Sequence, residues 1–491
     1  MPSSVSETLG ALDFTPDAAT LDQVVELLGE RDGAPPVEEL RRDEARRREA
    51  LARYEELPAP GARPTRGWKY DYANLKFEEL RWTTGSRPMP AMPSLPSRPA
   101  AAKSADAAAP KSYDAAPKSG DVASNPDAAL SAEIDRPALA TDNAGGLFFL
   151  GATHVDAPSN ADPRITVRAL DAATVREFAA VLSGVSGEIV DWRADKFAAL
   201  ATAFENCGAF VYVPDGVQLD TPVQIVFATA PDDEAVFPHV VVVLGKDARA
   251  TVLERHVGEG DPFVCGVVEA QLGEGAELDY AAIQQAGEAA RVMFSRGARC
   301  ERDAQMRWHL AELGGALART VLDARLGAPG SRAEASALFF NTGMQHVDLT
   351  SGADHVVGPT SSDTVVRSAA TDRGQGRYVG NIVIRPKAHG SDASLRDDAL
   401  LLSKRAHIDS IPALEIAAND VKAFHGATVG SLDEDALFYA GSRGIARGEA
   451  LRLITLGFFE PVISRFPGEA LRDEIRTALD RKIDDATELG A

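Results

Sequence analysis

Leu272-Gly-Glu-Gly-Ala-Glu-Leu-Asp-Tyr-Ala-Ala-Ile283 couples a tight glycine turn to a run in which apolar and polar residues alternate. Alternation with period two marks a strand with one face buried, and the glycines supply the backbone freedom that a sharp turn needs. The same grammar returns along the chain. Turns at Val213-Pro-Asp-Gly216, Leu244-Gly-Lys-Asp247 and Leu326-Gly-Ala-Pro-Gly330 punctuate runs such as Ala250-Thr-Val-Leu-Glu-Arg-His-Val257 and Tyr378-Val-Gly-Asn-Ile-Val-Ile384. The unit recurs at an irregular interval of roughly 20 to 30 residues, the spacing at which solenoids stack one coil on the next. Between Gly208 and Asp420 helix-length periodicity is nearly absent, the stretch around 300–320 being ambiguous. A right-handed parallel β-helix fits the long period and the shared turn chemistry. A β-sandwich is the alternative that pattern alone leaves open.

The 491 residues are 45% hydrophobic and 25% charged, ample for a large core and too long for one average domain. Net charge is −22, with 73 acidic against 51 basic residues. That balance argues against nucleic-acid partners, which need clustered Lys and Arg. Three widely spaced cysteines, Cys207, Cys265 and Cys300, form no CxxC pair. They make neither a disulfide framework nor a zinc knuckle, and read as small core residues in a reducing compartment. The start, Met1-Pro-Ser-Ser-Val-Ser-Glu7, shows no signal peptide. No run approaches the ~20 apolar residues of a membrane span. A cytoplasmic protein with no membrane partner is expected.

Four blocks follow from these patterns. Residues 1–82 read as an N-terminal helical domain. Within it Leu21-Asp-Gln-Val-Val-Glu-Leu-Leu28 has helical spacing, and Val37 to Tyr54 is a charge-dense stretch read as an exposed helix. Trp68, Tyr70, Tyr72, Phe77 and Trp82 read as rings packing this domain on its neighbour. Residues 83–139, rich in Ala, Lys, Ser, Asp and Pro, read as a flexible low-complexity linker. Residues 140–432 are the β-helix core, with one helical insertion expected around Ala172 to Leu182. Residues 433–491 read as a C-terminal helical region, with Glu449 to Phe459 and Leu471 to Leu489 carrying helical periodicity. Such a tail is expected to cap the last coil or to present a docking face.

One histidine stands at the junction of body and tail. In Val421-Lys-Ala-Phe-His-Gly-Ala-Thr-Val-Gly430, alternation places Val421, Ala423 and His425 on one side of a strand, and Lys422 and Phe424 on the other. A lone histidine near a strand end is commonly a hydrogen-bonded structural residue. Neutral imidazole is also a good iron ligand that adds no negative charge.

Pro412 to Gly430, followed by Leu432-Asp-Glu-Asp-Ala-Leu-Phe-Tyr-Ala-Gly-Ser-Arg-Gly-Ile445, resembles the C-terminal signature of the SufB/SufD family of iron–sulfur cluster assembly. Upstream, His355-Val-Val-Gly-Pro-Thr-Ser-Ser-Asp363, Tyr378 to Ile384 and Leu400-Leu-Leu-Ser403 are similar to the family's last coils. Tyr54-Glu-Glu-Leu-Pro58 and Trp68-Lys-Tyr-Asp-Tyr-Ala-Asn-Leu75 are similar to its N-terminal motif. The resemblance implies an N-terminal helical domain, a parallel β-helix and a C-terminal helical region. It implies a scaffold subunit, not an enzyme, that pairs with a SufB-type paralogue and docks a SufC-type ATPase. A transient iron–sulfur cluster would form at the paralogue interface, with His425 as candidate ligand. Family members of the SufB type carry a cysteine in the region matching Ser403-Lys-Arg-Ala-His-Ile408 and a carboxylate after the signature histidine. Here there is no cysteine and Gly426 follows, so the SufD type is favoured. Many such chains read Cys-Ser-His-Gly where this one has Ala423-Phe424-His425-Gly426, so a neighbouring thiol is missing.

Other candidates are weaker. His355 and His389 flank turns and reach a metal only if stacking brings them to His425, and His407 lies nearby in sequence. Arg443 and Gly444 read as a helix-entry turn whose family recurrence implies partner docking. The pairs Asp397-Asp398 and Asp484-Asp485 read as solvated surface. No Walker A and no GxSxG motif occurs, so neither ATP binding nor serine hydrolysis is expected of this chain. No catalytic or cofactor-binding residue is assigned. Two alternatives stay open: a self-pairing homodimeric scaffold, and a carbohydrate-active β-helix enzyme.

Overall fold

The structure, a computed structural model, describes residues 11–31, 37–59, 72, 75, 77, 80–83, 143–155, 161–229 and 234–486. The expected linker lies outside them apart from Thr83, as do Trp68 and Tyr70. In chain order the strands are β1 (Ala11–Asp13), β2 (Arg81–Thr83), β3 (Gly145–Leu150), β4 (Thr153–Val155), β5 (Thr166–Ala169), β6 (Cys207–Val213), β7 (Val223–Ala228), β8 (Glu234–Val236), β9 (Pro238–Leu244), β10 (Arg249–Gly258), β11 (Phe263–Leu272), β12 (Glu277–Ala286), β13 (Arg291–Cys300), β14 (Gln305–Glu312), β15 (Leu317–Leu326), β16 (Arg332–Asn341), β17 (His346–Val357), β18 (Ser361–Ala370), β19 (Gln375–Lys387), β20 (Asp392–Leu401), β21 (His407–Ile416) and β22 (Lys422–Ser431). The stretch around 300–320 is therefore β14 and β15. From β10 onward, even-numbered strands pair in parallel in one sheet and odd-numbered strands in the other. The chain thus winds as a parallel β-solenoid. A sandwich is excluded, because consecutive strands belong to opposite sheets and each pairs only with the strand one coil away.

The opening stretch shows why the coils stack. Leu272 ends β11 and Glu277 starts β12, with Gly275 at φ +69 between them. A Cβ on Gly273 would lie 2.9 Å from the carbonyl carbon of Gly245 in the turn beneath, so only glycine lets the two turns meet. Leu272 itself stacks on Leu244, and the column continues through Cys300, Leu326, His355 and Ile384 to Ile416. Each buried member removes apolar surface from water, at about 1.5–3 kcal/mol for a leucine or isoleucine. The lumen also holds charge: Glu254 accepts from both terminal nitrogens of Arg296 at 3.0 and 2.7 Å, from His256 at 2.5 Å, and from Tyr280.

The N-terminal segment has helices α1 (Ala18–Arg31) and α2 (Val37–Glu56). It also adds β1 and β2 to the solenoid, β2 pairing in parallel with β8, which a purely helical reading did not include. Helix α2 is not simply exposed. Its Ala50 and Leu51 are buried, and Arg47 reaches the carbonyls of Ala203 and Glu205 at 3.1 and 3.0 Å. Phe14, Tyr72 and Trp82 pack with Phe77 against the outer face of the odd-numbered sheet, and Trp82 Nε1 donates to Phe204 O at 2.9 Å. The insertion comprises α3 (Ala172–Glu177) and α4 (Ala179–Leu182) as expected, followed by α5 (Lys196–Phe204), which the sequence reading missed.

The tail consists of α6 (Glu434–Ser442), α7 (Arg447–Ile463) and α8 (Glu469–Asp485). It does not cap the last coil. Leu471, Ile475, Leu479 and Ile483 make a stripe at helical spacing, and with Phe459, Val462 and Phe466 they bury the outer face of the even-numbered sheet at Leu253, Ile283, Leu338 and Phe340. Arg255 pairs with Glu474 at 3.0 Å, and Lys482 donates to Leu313 O and Gln345. The outward residues of these middle strands are apolar, and that is the surface the tail covers.

Candidate functional site at the open end of the solenoid

Leaving the last coil uncovered has a direct consequence. β21 and β22 are the terminal strands of their sheets, so each presents an unpaired backbone edge. Ile411, Ile416, Phe424 and Val429 on these two strands are exposed. His425 stacks on Leu395 of β20, which is buried in the core. Val421 and Ala423 on the same side of the strand pack inward as the alternation predicts. His425 occupies the next position on that face yet is exposed, because no further coil lies over it. Behind it, the Arg396 guanidinium sits 6.0 Å from the Phe424 ring centroid. The imidazole is thereby offered at the mouth of the lumen beside two open edges.

The structure brings no second histidine to this point. His355 belongs to the buried column, held by Thr360 Oγ1 at 2.7 Å and Ser362 Oγ at 2.9 Å. Burial pushes it down to about 4, so it is a neutral structural residue. His389 is exposed in the turn level with Asp420, whose carbonyl accepts the Gly390 N–H at 2.7 Å. His425 lies five residues further along the chain than Asp420, about 16 Å when extended. His407 is taken by Asp409 at 2.9 Å. All three cysteines are buried, and burial pushes the Cys265 and Cys300 thiols up, Cys300 to about 12. Among the described residues no group of three or more His, Cys, Asp or Glu is placed to hold a metal ion.

Arg443 and Gly444 close α6. Gly444, at φ +84, donates to Gly441 O and Ile445 donates to Ala440 O, the paired bonds of a Schellman stop. The Arg443 guanidinium lies 5.1 Å from the Tyr439 ring centroid. Phe438 and Tyr439 on α6 and Leu453 on α7 are exposed at 80%, 60% and 52%, large apolar side chains left on the tail's surface.

Comparison with known families gives this geometry a context. The SufBD core domain of the SUF system for FeS cluster assembly matches residues 226–458, and the SufBD protein N-terminal region matches residues 155–225. Together they span well over half of the chain. The chain belongs to the SufB/SufD family. Iron–sulfur cluster assembly protein SufD of Bacillus subtilis (strain 168) is 29% identical over 292 residues, 59% of this chain and 67% of that protein. SufB of the same organism is 29% identical over 278 residues, 56% of this chain and 60% of its own length. A SufBD family protein of Mycobacterium leprae (strain TN) is 29% identical over 264 residues, 53% of this chain and 30% of that protein. The match thus spans between about a third and two thirds of these curated relatives. Family membership ties this SufB/SufD chain to iron–sulfur cluster assembly and displaces the carbohydrate-active reading. Among its described residues no helix is long and apolar enough to cross a membrane.

Two features escaped the sequence reading. His239 is clamped between Glu205 at 3.2 Å and Glu269 at 3.0 Å, beneath Arg46 of α2. Nothing in sequence joins residues so far apart. The second is Asp397, taken with Asp398 as solvated surface. Asp398 does face outward and pairs with Arg367 at 3.1 Å, whereas Asp397 is fully buried in the lumen. Strand alternation was the missed signal, since two adjacent residues on one strand cannot share a face.

Proposed function

We propose that the chain is a SufD-like scaffold subunit, not an enzyme, of a cytoplasmic complex that assembles iron–sulfur clusters. The open last coil pairs with a SufB-type paralogue, and His425 is one ligand of a transient cluster held between the two chains. The tail docks a SufC-type ATPase, with Arg443 and Gly444 shaping its exposed apolar face, and this chain binds no ATP. The reading fits the four-block division into helical domain, linker, β-helix and helical region. The observation that carries it is the conjunction of two open edges, exposed apolar residues and an exposed imidazole on the same coil. An isolated chain exposing such edges invites strand pairing, and a lone imidazole is an incomplete metal site.

Coexpression with SufB-type and SufC-type partners, followed by affinity capture and sizing, tests the assignment. A complex containing all three supports it. Pairing of the chain with itself in place of the paralogue favours a homodimeric scaffold, and no complex at all sinks the proposal.

A further inference from the structure

Asp397 stands between Leu395 and Ala399 on the inner face of β20, and both neighbours belong to the apolar core. Its Oδ2 accepts the hydroxyl of Ser410, which reaches across the lumen from β21. Its Oδ1 has no hydrogen-bond partner among the described residues. Buried polar atoms find partners in roughly nine cases out of ten, so an orphan carboxylate oxygen at this depth marks an unmet requirement. Stacking places it close to the mouth: Leu395 lies under His425 and Asp397 lies under Ala427. With strands about 4.8 Å apart and about 6.6 Å per two residues, the Cα atoms of Asp397 and His425 are about 8 Å apart on one face. On β22 it is Ala427, with no more than a methyl group, that stacks on the carboxyl, while Ser410 contacts it from β21.

We infer that Asp397 and His425 together form an iron(II) site at the mouth of the solenoid, with a carboxylate oxygen from one coil and an imidazole nitrogen from the next. Carboxylate and imidazole are donors that suit ferrous iron. A divalent ion beside the orphan oxygen offsets the cost of holding a buried carboxylate charged. The inference rests on the reading of His425 given above for the identity of the metal. It adds a ligand from this chain, so that iron is held before a partner completes the site.

The test is anaerobic calorimetry of the full chain, without partners, titrated with ferrous iron alone. Wild type is expected to bind one equivalent, and Asp397→Asn and His425→Ala each to weaken binding about tenfold or more. Asp397→Cys, which sets a thiolate in the same place, is expected to stay within about threefold of wild type. Asp397→Ser serves as a second uncharged variant if the asparagine disturbs folding, which a urea midpoint reports. Equal affinity of wild type and Asp397→Asn overturns the inference. So does a cysteine variant as weak as the asparagine, or a wild-type chain that binds no iron. If only His425→Ala weakens binding, this inference fails while the assignment of His425 stands.

Discussion

Deprotonating His239 should loosen the contact between the N-terminal helices and the solenoid. Burial alone would depress this imidazole, but Glu205 and Glu269 on its two nitrogens override burial and hold it at about 9. Glu205 is held down at about 2, against its own burial, chiefly by His239 and then by Arg46 and Arg47. Glu269 also accepts the backbone N–H groups of Gly187, Ile189 and Val190, and Asp43 on α2 faces Arg46 and Arg47. A histidine raised from 6.5 to about 9 contributes stability that is complete below 6.5 and lost as pH rises through 9. At about 1.4 kcal/mol per unit, the loss is on the order of 3 kcal/mol. The assay is urea denaturation at about pH 6 and about pH 9.5, comparing wild type with His239→Gln, which hydrogen-bonds without titrating. The difference between the two proteins matters, because Lys482, lowered by burial to about 8, adds stability as pH rises over the same window. Wild type should lose about 3 kcal/mol more than the variant on alkalinisation. Parallel pH dependences would refute the assignment of His239 as a buried imidazolium.

Two further perturbations probe the rest of the frame. Ile475→Ala removes a fully buried side chain from the stripe that seats α8 and should cost about 2–5 kcal/mol, seen as early proteolysis of the tail while the solenoid stays protected. The thiols of Cys207, Cys265 and Cys300 are buried and should react with a maleimide only on unfolding, so fast labelling of the native chain would contradict their placement.

The fold was legible because its rule is local. Many coils repeat a tight turn, with glycine where turns meet closely as at Gly273 and Gly275, and a strand whose alternate residues face the lumen. The insertion at Ala172 and the helix around Leu21 followed from spacing in the same way. The tail's resting place was not legible, since a stripe such as Leu471, Ile475 and Leu479 announces that a face is buried without saying on what. The same holds for α2, whose charged sequence hid the reach of Arg47 to two carbonyls. At the site, motif and alternation picked out His425 and its face. Its exposure came from a tertiary fact, the uncovered last coil. Asp397 was hidden by its neighbour Asp398, because a pair of acidic residues reads as surface until the strand's two faces are separated.

Reconstitution of the complex with its paralogue and ATPase under anaerobic conditions, following cluster absorbance for wild type and His425→Ala, tests the central claim most directly. The account predicts that the variant assembles the complex and builds little or no cluster. An unchanged cluster yield would contradict it and leave His425 a structural residue at an interface.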